Sequence, residues 1–311
     1  MEYPKLTLVT SEKCFNGYQN FYTHRSPTLN CQMRVGIFLP DKSEKVPVIF
    51  CLGGLTSTVD SFPVKSGYQK KANELGLAIV CPDTSPRGDH VFNIPDDDDL
   101  GSSAGWYVNA SKQPWSENYR MFDYITKELV KVLSCWSEDE TPGFLDCTRI
   151  SVMGYSMGGH GALIAFLKTE NIFTSCSCFA PVVSASRSKF GKKAFSQYFE
   201  DYETEGLEYD ACELVKKFRC DYQKFLLVDV GSDDEYLDSD IMYERLKTAC
   251  EGTNIYPQVN VRVGYNHSYS FVASFIDDHL EFHSRFLVKS KKNDKSSSFS
   301  PKGKKKILGC F

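Results

Sequence analysis

The chain has 311 residues, 41% of them hydrophobic and 14% aromatic, which is enough for the buried core of one large α/β domain or two small domains. No run of about 18 apolar residues is present, and the amino terminus, Met1-Glu2-Tyr3-Pro4-Lys5, lacks the charged and apolar regions of a signal peptide. We therefore expect no membrane span and no secretion, and we predict a cytoplasmic protein with no nucleic-acid partner.

Strand and helix patterns alternate along the body of the chain. This order predicts β-α-β crossovers and an α/β fold with a mostly parallel sheet and helices on both faces. The expected strands are 31–39, 46–52, 77–81, 149–153, 225–230 and 259–263, and the expected helices are 68–74, 119–133, 159–167, 240–250 and 270–287. Because ligands gather at the carboxyl ends of such strands, catalytic residues should directly follow strands.

Residues 149–167 run an apolar strand into Gly154-Tyr155-Ser156-Met157-Gly158 and then into an apolar helix. The pattern is typical of a nucleophile elbow, in which glycines flank a tight turn and leave the serine hydroxyl exposed. Glycine and serine also fill ordinary turns, but the flanking strand and helix favour the elbow. We predict Ser156 as a nucleophile.

Two later strands are followed by the other residues that a serine nucleophile requires. An acidic loop, Gly231-Ser232-Asp233-Asp234-Glu235, follows the strand at 225–230, and His267 follows the strand at 259–263. The chain order Ser, Asp, His is that of α/β-hydrolases. We predict that His267 is the general base and that Asp234 orients it, with Asp233 as the rival acid.

A tetrahedral intermediate also needs hydrogen-bond donors for its oxyanion. The backbone N–H of Met157, directly after the nucleophile, is one candidate. The other is Leu55, since Gly53 and Gly54 follow an early strand and let the backbone approach a substrate closely.

The remaining histidines compete less well as the base. His160 lies only four residues after Ser156 and is expected to be structural, and His90 lies beside Asp89 in a polar loop. His279 and His283 have a spacing that suggests a metal pair, but no His-Glu-x-x-His motif is present, and we expect a solvated helix face. We predict neither a metal nor a cofactor.

The twelve cysteines do not have the spacing of a metal site. Cys51, Cys81, Cys176 and Cys178 lie in apolar runs, where a thiol behaves as a small hydrophobe. We expect reduced thiols, with disulfides as the alternative.

The net charge of −4 conceals an asymmetry, because residues 289–311 carry eight lysines and one aspartate and leave the body of the chain near −11. This segment is serine-rich and has no periodicity, so we expect a disordered tail after a single domain over residues 1–288. One interpretation is weak contact with an anionic membrane, at roughly 1 kcal/mol per well-placed lysine. The other is a solvated tail.

Seven further blocks stand in collinear order along the body of the chain. They are Gly-Gly-Leu-Thr-Ser-Thr (53–58), Cys-Pro-Asp-Thr-Ser-Pro-Arg-Gly (81–88), Ala-Gly-Trp-Tyr-Val-Asn-Ala (104–110), Pro-Trp-Ser-Glu-Asn-Tyr-Arg-Met (114–121), Phe-Ala-Pro-Val (179–182), Gly-Lys-Lys-Ala-Phe (191–195) and Gly-Tyr-Asn-His-Ser-Tyr (264–269). Together they resemble the S-formylglutathione hydrolases, also called esterase D, over roughly residues 5–288. The resemblance implies an α/β-hydrolase fold, a cofactor-independent thioesterase for S-formylglutathione and a cytosolic homodimer. It places the triad on Ser156, Asp234 and His267 and the oxyanion donors on Leu55 and Met157.

The chain departs from the family pattern in loops that shape the pockets. Ser57 replaces a family cysteine, residues 183–190 replace an Asn-Pro stretch with Phe190 in the place of a tryptophan, Asn266 stands where aspartate often precedes the histidine, and 97–100 replace a Trp-Asp-Phe-like stretch. A formyl group needs a small pocket, and Trp106, Trp115 and Phe190 are the bulky candidates for its walls. For the carboxylates of glutathione, the cations in or beside the blocks are Arg87, Arg120, Lys192 and Lys193, with ordinary surface charge as the alternative for each.

Three functions are consistent with these residues. The first is hydrolysis of S-formylglutathione by a thioesterase, through a formyl-enzyme intermediate. The second is a carboxylesterase for small acyl esters that uses the same triad. The third is a non-catalytic adaptor tethered by the lysine tail, which the complete triad disfavours.

Overall fold

A computed structural model describes residues 4–139, 144–169, 171–220 and 222–288. The tail expected after residue 288 lies outside the described residues.

One sheet of nine strands runs through the described residues, in the order β1-β2-β3-β5-β4-β6-β7-β8-β9. The pairs β1–β2, β2–β3 and β3–β5 are antiparallel, and all pairs from β5 through β9 are parallel. The mostly parallel sheet is therefore confirmed. The strands are β1 (Thr7–Cys14), β2 (Gly17–Ser26), β3 (Cys31–Leu39), β4 (Val46–Leu52), β5 (Ala78–Pro82), β6 (Leu145–Tyr155), β7 (Phe173–Phe179), β8 (Lys224–Gly231) and β9 (Ile255–Arg262).

Helices connect the parallel strands. They are α1 (Ser61–Lys65), α2 (Gln69–Leu75), α3 (Met121–Asp123), α4 (Leu129–Asp139), α5 (Met157–Lys168), α6 (Lys189–Tyr198), α7 (Tyr202–Glu205), α8 (Ala211–Lys217), α9 (Tyr243–Cys250) and α10 (Tyr269–Leu287). A π-helical turn, Tyr124–Glu128, joins α3 to α4, and a second one, Leu237–Ile241, precedes α9. Short 3-10 turns lie at Gly101–Ser103, Trp115–Glu117 and Gly206–Tyr209.

Helices cover both faces of the sheet, as the alternation of side chains along β7 demonstrates. Ser175 and Ser177 point to one face, where both bind the ring of His283 in α10 at 2.8 Å. Cys178 points to the other face, where its Sγ lies 3.4 Å from the carbonyl of Gly159 in α5. Because successive strand residues face opposite sides, this sheet is buried between two helical layers.

The centre of the sheet forms the core. Every residue of β4 and β5 is buried, as near-continuous apolar strands covered on both faces should be. The helix after β6 is apolar all round for the same reason, with residues 157–167 buried. The carboxyl ends of β4, β6, β8 and β9 therefore lie along one edge of a rigid sheet, which positions the loops that follow them.

Parts of the architecture were not predicted. The pair β1–β2, the strand β7 and the helices α6 and α8 were missed, and Val263, expected in the last strand, lies outside β9 with 85% of its surface exposed. The sequence of β7 is Phe-Thr-Ser-Cys-Ser-Cys-Phe, and its small polar residues do not resemble a buried strand. They are buried because their hydroxyls form hydrogen bonds with a histidine from a helix that is distant in sequence.

No helix within the described residues is long and apolar enough to cross a membrane. No disulfide joins two cysteines of the described part of the chain.

Candidate active site

Ser156 occupies a strained turn between β6 and α5. Its backbone has φ 57° and ψ −119°, a conformation that a non-glycine residue adopts only when the surroundings impose it. A Cβ on Gly154 would overlap the carbonyl of Gly158, and a Cβ on Gly158 would overlap the carbonyl of Leu52. The turn therefore has the geometry of a nucleophile elbow, with both flanking glycines required by close backbone contacts.

The structure brings Ser156, His267 and Asp234 together. The Oγ of Ser156 lies 2.9 Å from Nε2 of His267, and Nδ1 of His267 lies 2.7 Å from Oδ2 of Asp234. A carboxylate can only accept, so we assign the proton to Nδ1, which leaves Nε2 as the acceptor for the serine hydroxyl. The arrangement allows the histidine to take a proton from Ser156 during attack.

The two aspartates of the acidic loop differ in their surroundings. Asp234 is 5% exposed, and its Oδ1 accepts the backbone N–H of Tyr236 at 2.9 Å. Asp233 is exposed, and its carboxylate accepts the hydroxyl of Ser232 at 2.6 Å instead of facing the histidine. Of the two, only Asp234 is in a position to orient His267.

The acid loop and the base loop bind each other. The N–H of Ser232 donates to the carbonyl of Arg262, the N–H of Gly264 donates to the hydroxyl of Ser232, and the N–H of Asp233 donates to the carbonyl of Tyr265. The distances are 2.9, 2.8 and 3.0 Å. These bonds fix the position of His267 relative to Asp234.

A partly buried ion pair lies beneath these loops. The carboxylate of Asp229, fully buried in β8, accepts Nε of Arg262 at 2.6 Å and Nδ2 of Asn260 at 2.7 Å. Arg262 ends β9, five residues before His267, so the pair ties the two strands together just ahead of the catalytic loops.

The loop after β4 lies against the nucleophile. A Cβ on Gly54 would come within 3.0 Å of the Cβ of Ser156 and 3.1 Å of the carbonyl oxygen of Tyr155. The hydroxyl of Tyr107 donates to the carbonyl of Gly53 at 2.9 Å and holds this loop in place. Leu55 and Met157, the expected oxyanion donors, both line the cavity beside Ser156.

A cavity of about 460 Å³ opens above Ser156. Its lining combines the nucleophile and His267 with aromatic side chains and a few charged ones. The residues are Leu55, Thr56, Ser57, Ser61, Lys65, Asp98, Asp99, Trp106, Tyr155, Ser156, Met157, Val182, Phe190, Tyr236, Asp240, Ile241, His267, Ser268 and Tyr269. A concave, partly apolar site with convergent polar groups is typical of small-molecule binding.

Two of the three predicted pocket walls line this cavity. Trp106 and Phe190 do so, with the ring of Phe190 5.5 Å from that of Tyr236. The prediction for Trp115 needs correction, because this residue is 3% exposed and packs edge-on to Phe92, Tyr119 and Tyr198 instead. Its loop turns at a cis peptide bond before Pro114, which the sequence does not reveal.

The predicted solvated face of the last helix is wrong. His279 and His283 are fully buried; His279 Nδ1 lies 2.9 Å from the hydroxyl of Ser177, and burial lowers the pKa of both rings. In a sequence, two sets of polar residues that form hydrogen bonds with each other inside the core cannot be distinguished from two solvent-exposed polar surfaces. His160 is structural, as expected, because it is fully buried between Trp106 and Phe195, and burial lowers its pKa to about 3.

None of the four cations considered from the sequence lines the cavity. Arg87 pairs with Asp83 at 3.1 Å, Arg120 pairs with Asp123 at 2.7 Å, and Lys193 bridges Asp97 and Asp99 at 2.8 and 2.9 Å. Lys192 is exposed on α6 outside the cavity. The cavity has instead a lysine that sequence reasoning missed, Lys65 at the end of α1.

Within the described ranges, no group of three or more His, Cys, Asp or Glu side chains could hold a metal ion.

Ser57, in the place of a family cysteine, is 5% exposed and shares a hydrogen bond of 3.2 Å with the hydroxyl of Tyr269. It lines the cavity but takes no part in the hydrogen bond between Ser156 and His267.

Comparison with known proteins gives one consistent set of relatives. The family model described as a putative esterase matches residues 26–282. The S-formylglutathione hydrolase of Mus musculus is 41% identical over 285 residues, covering 91% of this chain and 99% of the relative. That of Arabidopsis thaliana is 40% identical over 285 residues, covering 91% and 98%. The solved structure of an S-formylglutathione hydrolase from Agrobacterium tumefaciens superposes with a TM-score of 0.85 at 36% identity, covering 90% of this chain and 99% of that one.

Proposed function

The chain belongs to the esterase family and groups with the S-formylglutathione hydrolases, and from this premise we propose that it hydrolyses S-formylglutathione to formate and glutathione. The observation that carries the proposal is the pair of hydrogen bonds that link Ser156 to His267 and His267 to Asp234. The same residues would serve a carboxylesterase, so the substrate rests on the relatives and the chemistry rests on the geometry.

In the proposed reaction, His267 Nε2 takes the proton of Ser156 as Oγ attacks the formyl carbon. The oxyanion that forms accepts the backbone N–H groups of Leu55 and Met157, and the imidazolium is stabilised by Asp234. The C–S bond then breaks, and His267 returns its proton to the leaving thiolate of glutathione. A formyl ester on Ser156 remains.

The second half of the reaction uses the same groups. His267 takes a proton from a water molecule as the water oxygen attacks the formyl ester. A second oxyanion forms at the same two N–H groups, the Oγ–carbon bond breaks, and His267 returns the proton to Ser156. Formic acid leaves and loses its remaining acidic proton to the solvent as formate, and the resting state is restored without any other reactant.

Kinetics with two substrates test the proposal. We expect kcat/KM for S-formylglutathione to exceed that for a short-chain aryl acetate, and the reverse order would identify a carboxylesterase. The Ser156→Ala variant should lose at least about 10⁴-fold in kcat on both substrates, because the acyl-enzyme can no longer form. Wild-type turnover in that variant would overturn the assignment of the nucleophile.

The wider organisation is part of the same proposal. We infer a single catalytic domain over residues 1–288 with residues 289–311 appended to it, a cytoplasmic location and a homodimer. The match to the relatives covers 91% of the chain and supports the single domain, whereas the location and the homodimer rest on the family resemblance alone. Equilibrium sedimentation at micromolar concentration distinguishes the dimer from a monomer.

A further inference from the structure

Lys65 is the last residue of α1, and its exposed side chain lines the cavity that contains Ser156 and His267. Its ammonium nitrogen lies 5.3 Å from the ring centroid of Tyr269. Apart from His267, it is the one basic side chain among the described residues that line this cavity.

The ammonium has no acidic partner among the described residues. Other lysines of the chain are paired, such as Lys193 with Asp97 and Asp99 and Lys71 with Glu281 at 2.8 Å. The acid nearest to Lys65 in sequence, Asp60, pairs with Arg34 at 3.3 Å instead. A cation that lines the cavity is therefore left without a counter-charge from the part of the chain that the structure describes.

Aromatic rings connect Lys65 to the catalytic histidine. The ring of Tyr269 lies 5.1 Å from that of Tyr155, which in turn lies 4.9 Å from the ring of His267. The Lys65 ammonium and the ring of His267 are therefore separated by at most three distances of about 5 Å each. These three distances place the ammonium at most about 15 Å from the ring of His267, and a tripeptide extended at about 3.3–3.6 Å per residue covers roughly 10 Å of that limit.

The opposite charge lies elsewhere in the cavity. Asp98 and Asp99 line it near Trp106, whose indole N–H donates to the carbonyl of Asp99 at 3.2 Å. Asp99 is paired with Lys193, but Asp98 is exposed and has no basic partner within the described part of the chain. A ligand carboxylate is repelled by Asp98 and attracted by Lys65.

We propose that Lys65 binds a carboxylate of the glutathione moiety and so selects glutathione thioesters over neutral esters, an inference that rests on the proposed function. The lysine is a specificity residue, not a participant in the chemistry. An exposed ion pair is worth up to about 1 kcal/mol, so the effect on affinity should be at most about fivefold.

The test compares Lys65→Gln, Lys65→Glu and Lys65→Arg with Lys70→Gln, a matched control on the exposed surface of α2 outside the cavity. For S-formylglutathione we expect Lys65→Gln to raise KM about fivefold with kcat unchanged, Lys65→Glu to raise it further and Lys65→Arg to retain most of the wild-type value. Kinetics with a neutral aryl acetate should not change in any variant. A diester of S-formylglutathione, without carboxylates, should remove the difference between wild type and Lys65→Gln.

Inhibition separates this inference from the proposed function. S-methylglutathione should inhibit aryl acetate hydrolysis in the wild type and do so about fivefold less well in Lys65→Gln. If the wild type fails to turn over S-formylglutathione but shows this inhibition, the proposed function fails and the Lys65 site stands. Equal inhibition of wild type and Lys65→Gln, or an equal loss of activity on both substrates, would overturn the Lys65 site.

Discussion

The Nδ1 atom of His267 lies 2.7 Å from Oδ2 of Asp234, while the neighbouring carboxylate of Asp233 binds Ser232. We predict that Asp234→Asn lowers kcat by about 10⁴-fold, because an amide can hold the imidazole in the wrong tautomer. Asp233→Asn should change kcat by less than about threefold, because its side chain faces solvent. Steady-state kinetics on the two variants make this comparison, and a larger loss in Asp233→Asn would move the acid to that position.

The contact between Gly54 and Ser156 leads to a second prediction. In Gly54→Ala the new methyl group would press on the Cβ of Ser156 at 3.0 Å and displace the loop that carries the Leu55 N–H. Loss of one oxyanion donor costs ~10²–10³ in turnover, so a displaced donor should lower kcat about tenfold or more.

Gly252→Ala is the control for that variant. Gly252 has φ 73° in the turn between α9 and β9, outside the cavity lining, with open space around its Cβ position, so alanine there strains the backbone without touching the site. It should lower the unfolding free energy by about 1 kcal/mol and leave kcat unchanged. Equal kcat values in Gly54→Ala and Gly252→Ala would contradict a role for the loop after β4 in the oxyanion site.

The acyl side of the cavity is tested at Phe190. Removing this ring in Phe190→Ala enlarges the cavity, and one methylene in an apolar pocket is worth ~1–3 kcal/mol. We expect the ratio of kcat/KM for butyryl over acetyl aryl esters to rise at least about tenfold. Trp115→Phe should lower the melting temperature but leave that ratio at its wild-type value, because Trp115 packs away from the cavity. An unchanged ratio in Phe190→Ala would show that Phe190 does not limit acyl size.

The catalytic site and Trp115 illustrate which positions the sequence could predict and which it could not. The proposed catalytic residues follow strands at 145–155, 224–231 and 255–262, and their places were predictable because parallel strands end at one edge of a sheet. Trp115 was misplaced because a buried aromatic cluster and a pocket wall have the same composition. Lys65 was missed because nothing local marks a lysine at the end of a short helix as part of a cavity formed by distant loops.

The buried histidines show the same limit in the core. His279 and His283 look like solvent-facing residues by composition, and only the position of Ser175 and Ser177 on β7 explains their burial. Such partners are more than one hundred residues apart in the chain, so no local pattern reports them.

Burial of His160 makes the stability depend on pH. Its pKa in the fold is lowered to about 3, against about 6.5 in the unfolded chain, so its stabilising effect is complete above pH 6.5 and is lost as the pH falls toward 3. Lowering the pH from 7 to 5 should therefore reduce the unfolding free energy by about 2 kcal/mol through His160 alone. Urea denaturation of wild type and His160→Leu at both pH values measures it. The loss in the variant should be smaller by that amount, and identical losses would contradict the burial effect.

The lysine-rich segment provides a fifth test. Deleting residues 289–311 should leave kcat/KM for S-formylglutathione unchanged, because the catalytic residues and the cavity lie within residues 55–269. Co-sedimentation of both forms with anionic and with neutral vesicles, at low and physiological salt, then distinguishes the two interpretations of the tail. Binding of the full chain to anionic vesicles alone supports membrane contact, and no difference supports a solvated tail. A fall in kcat/KM on deletion would contradict a separate catalytic domain.

The bonds between the acid and base loops hold one part of the site, and the wall around Phe190 forms another. Asp229, Arg262 and Ser232 hold the loops that follow β8 and β9, whereas Trp106 and Phe190 come from other segments of the chain. Tyr236 joins the two parts, because its ring lies 5.5 Å from that of Phe190 and 5.0 Å from that of His267. Divergence toward new acyl groups therefore has to keep Tyr236 in position, and directed evolution should begin with substitutions around Phe190 that preserve this contact.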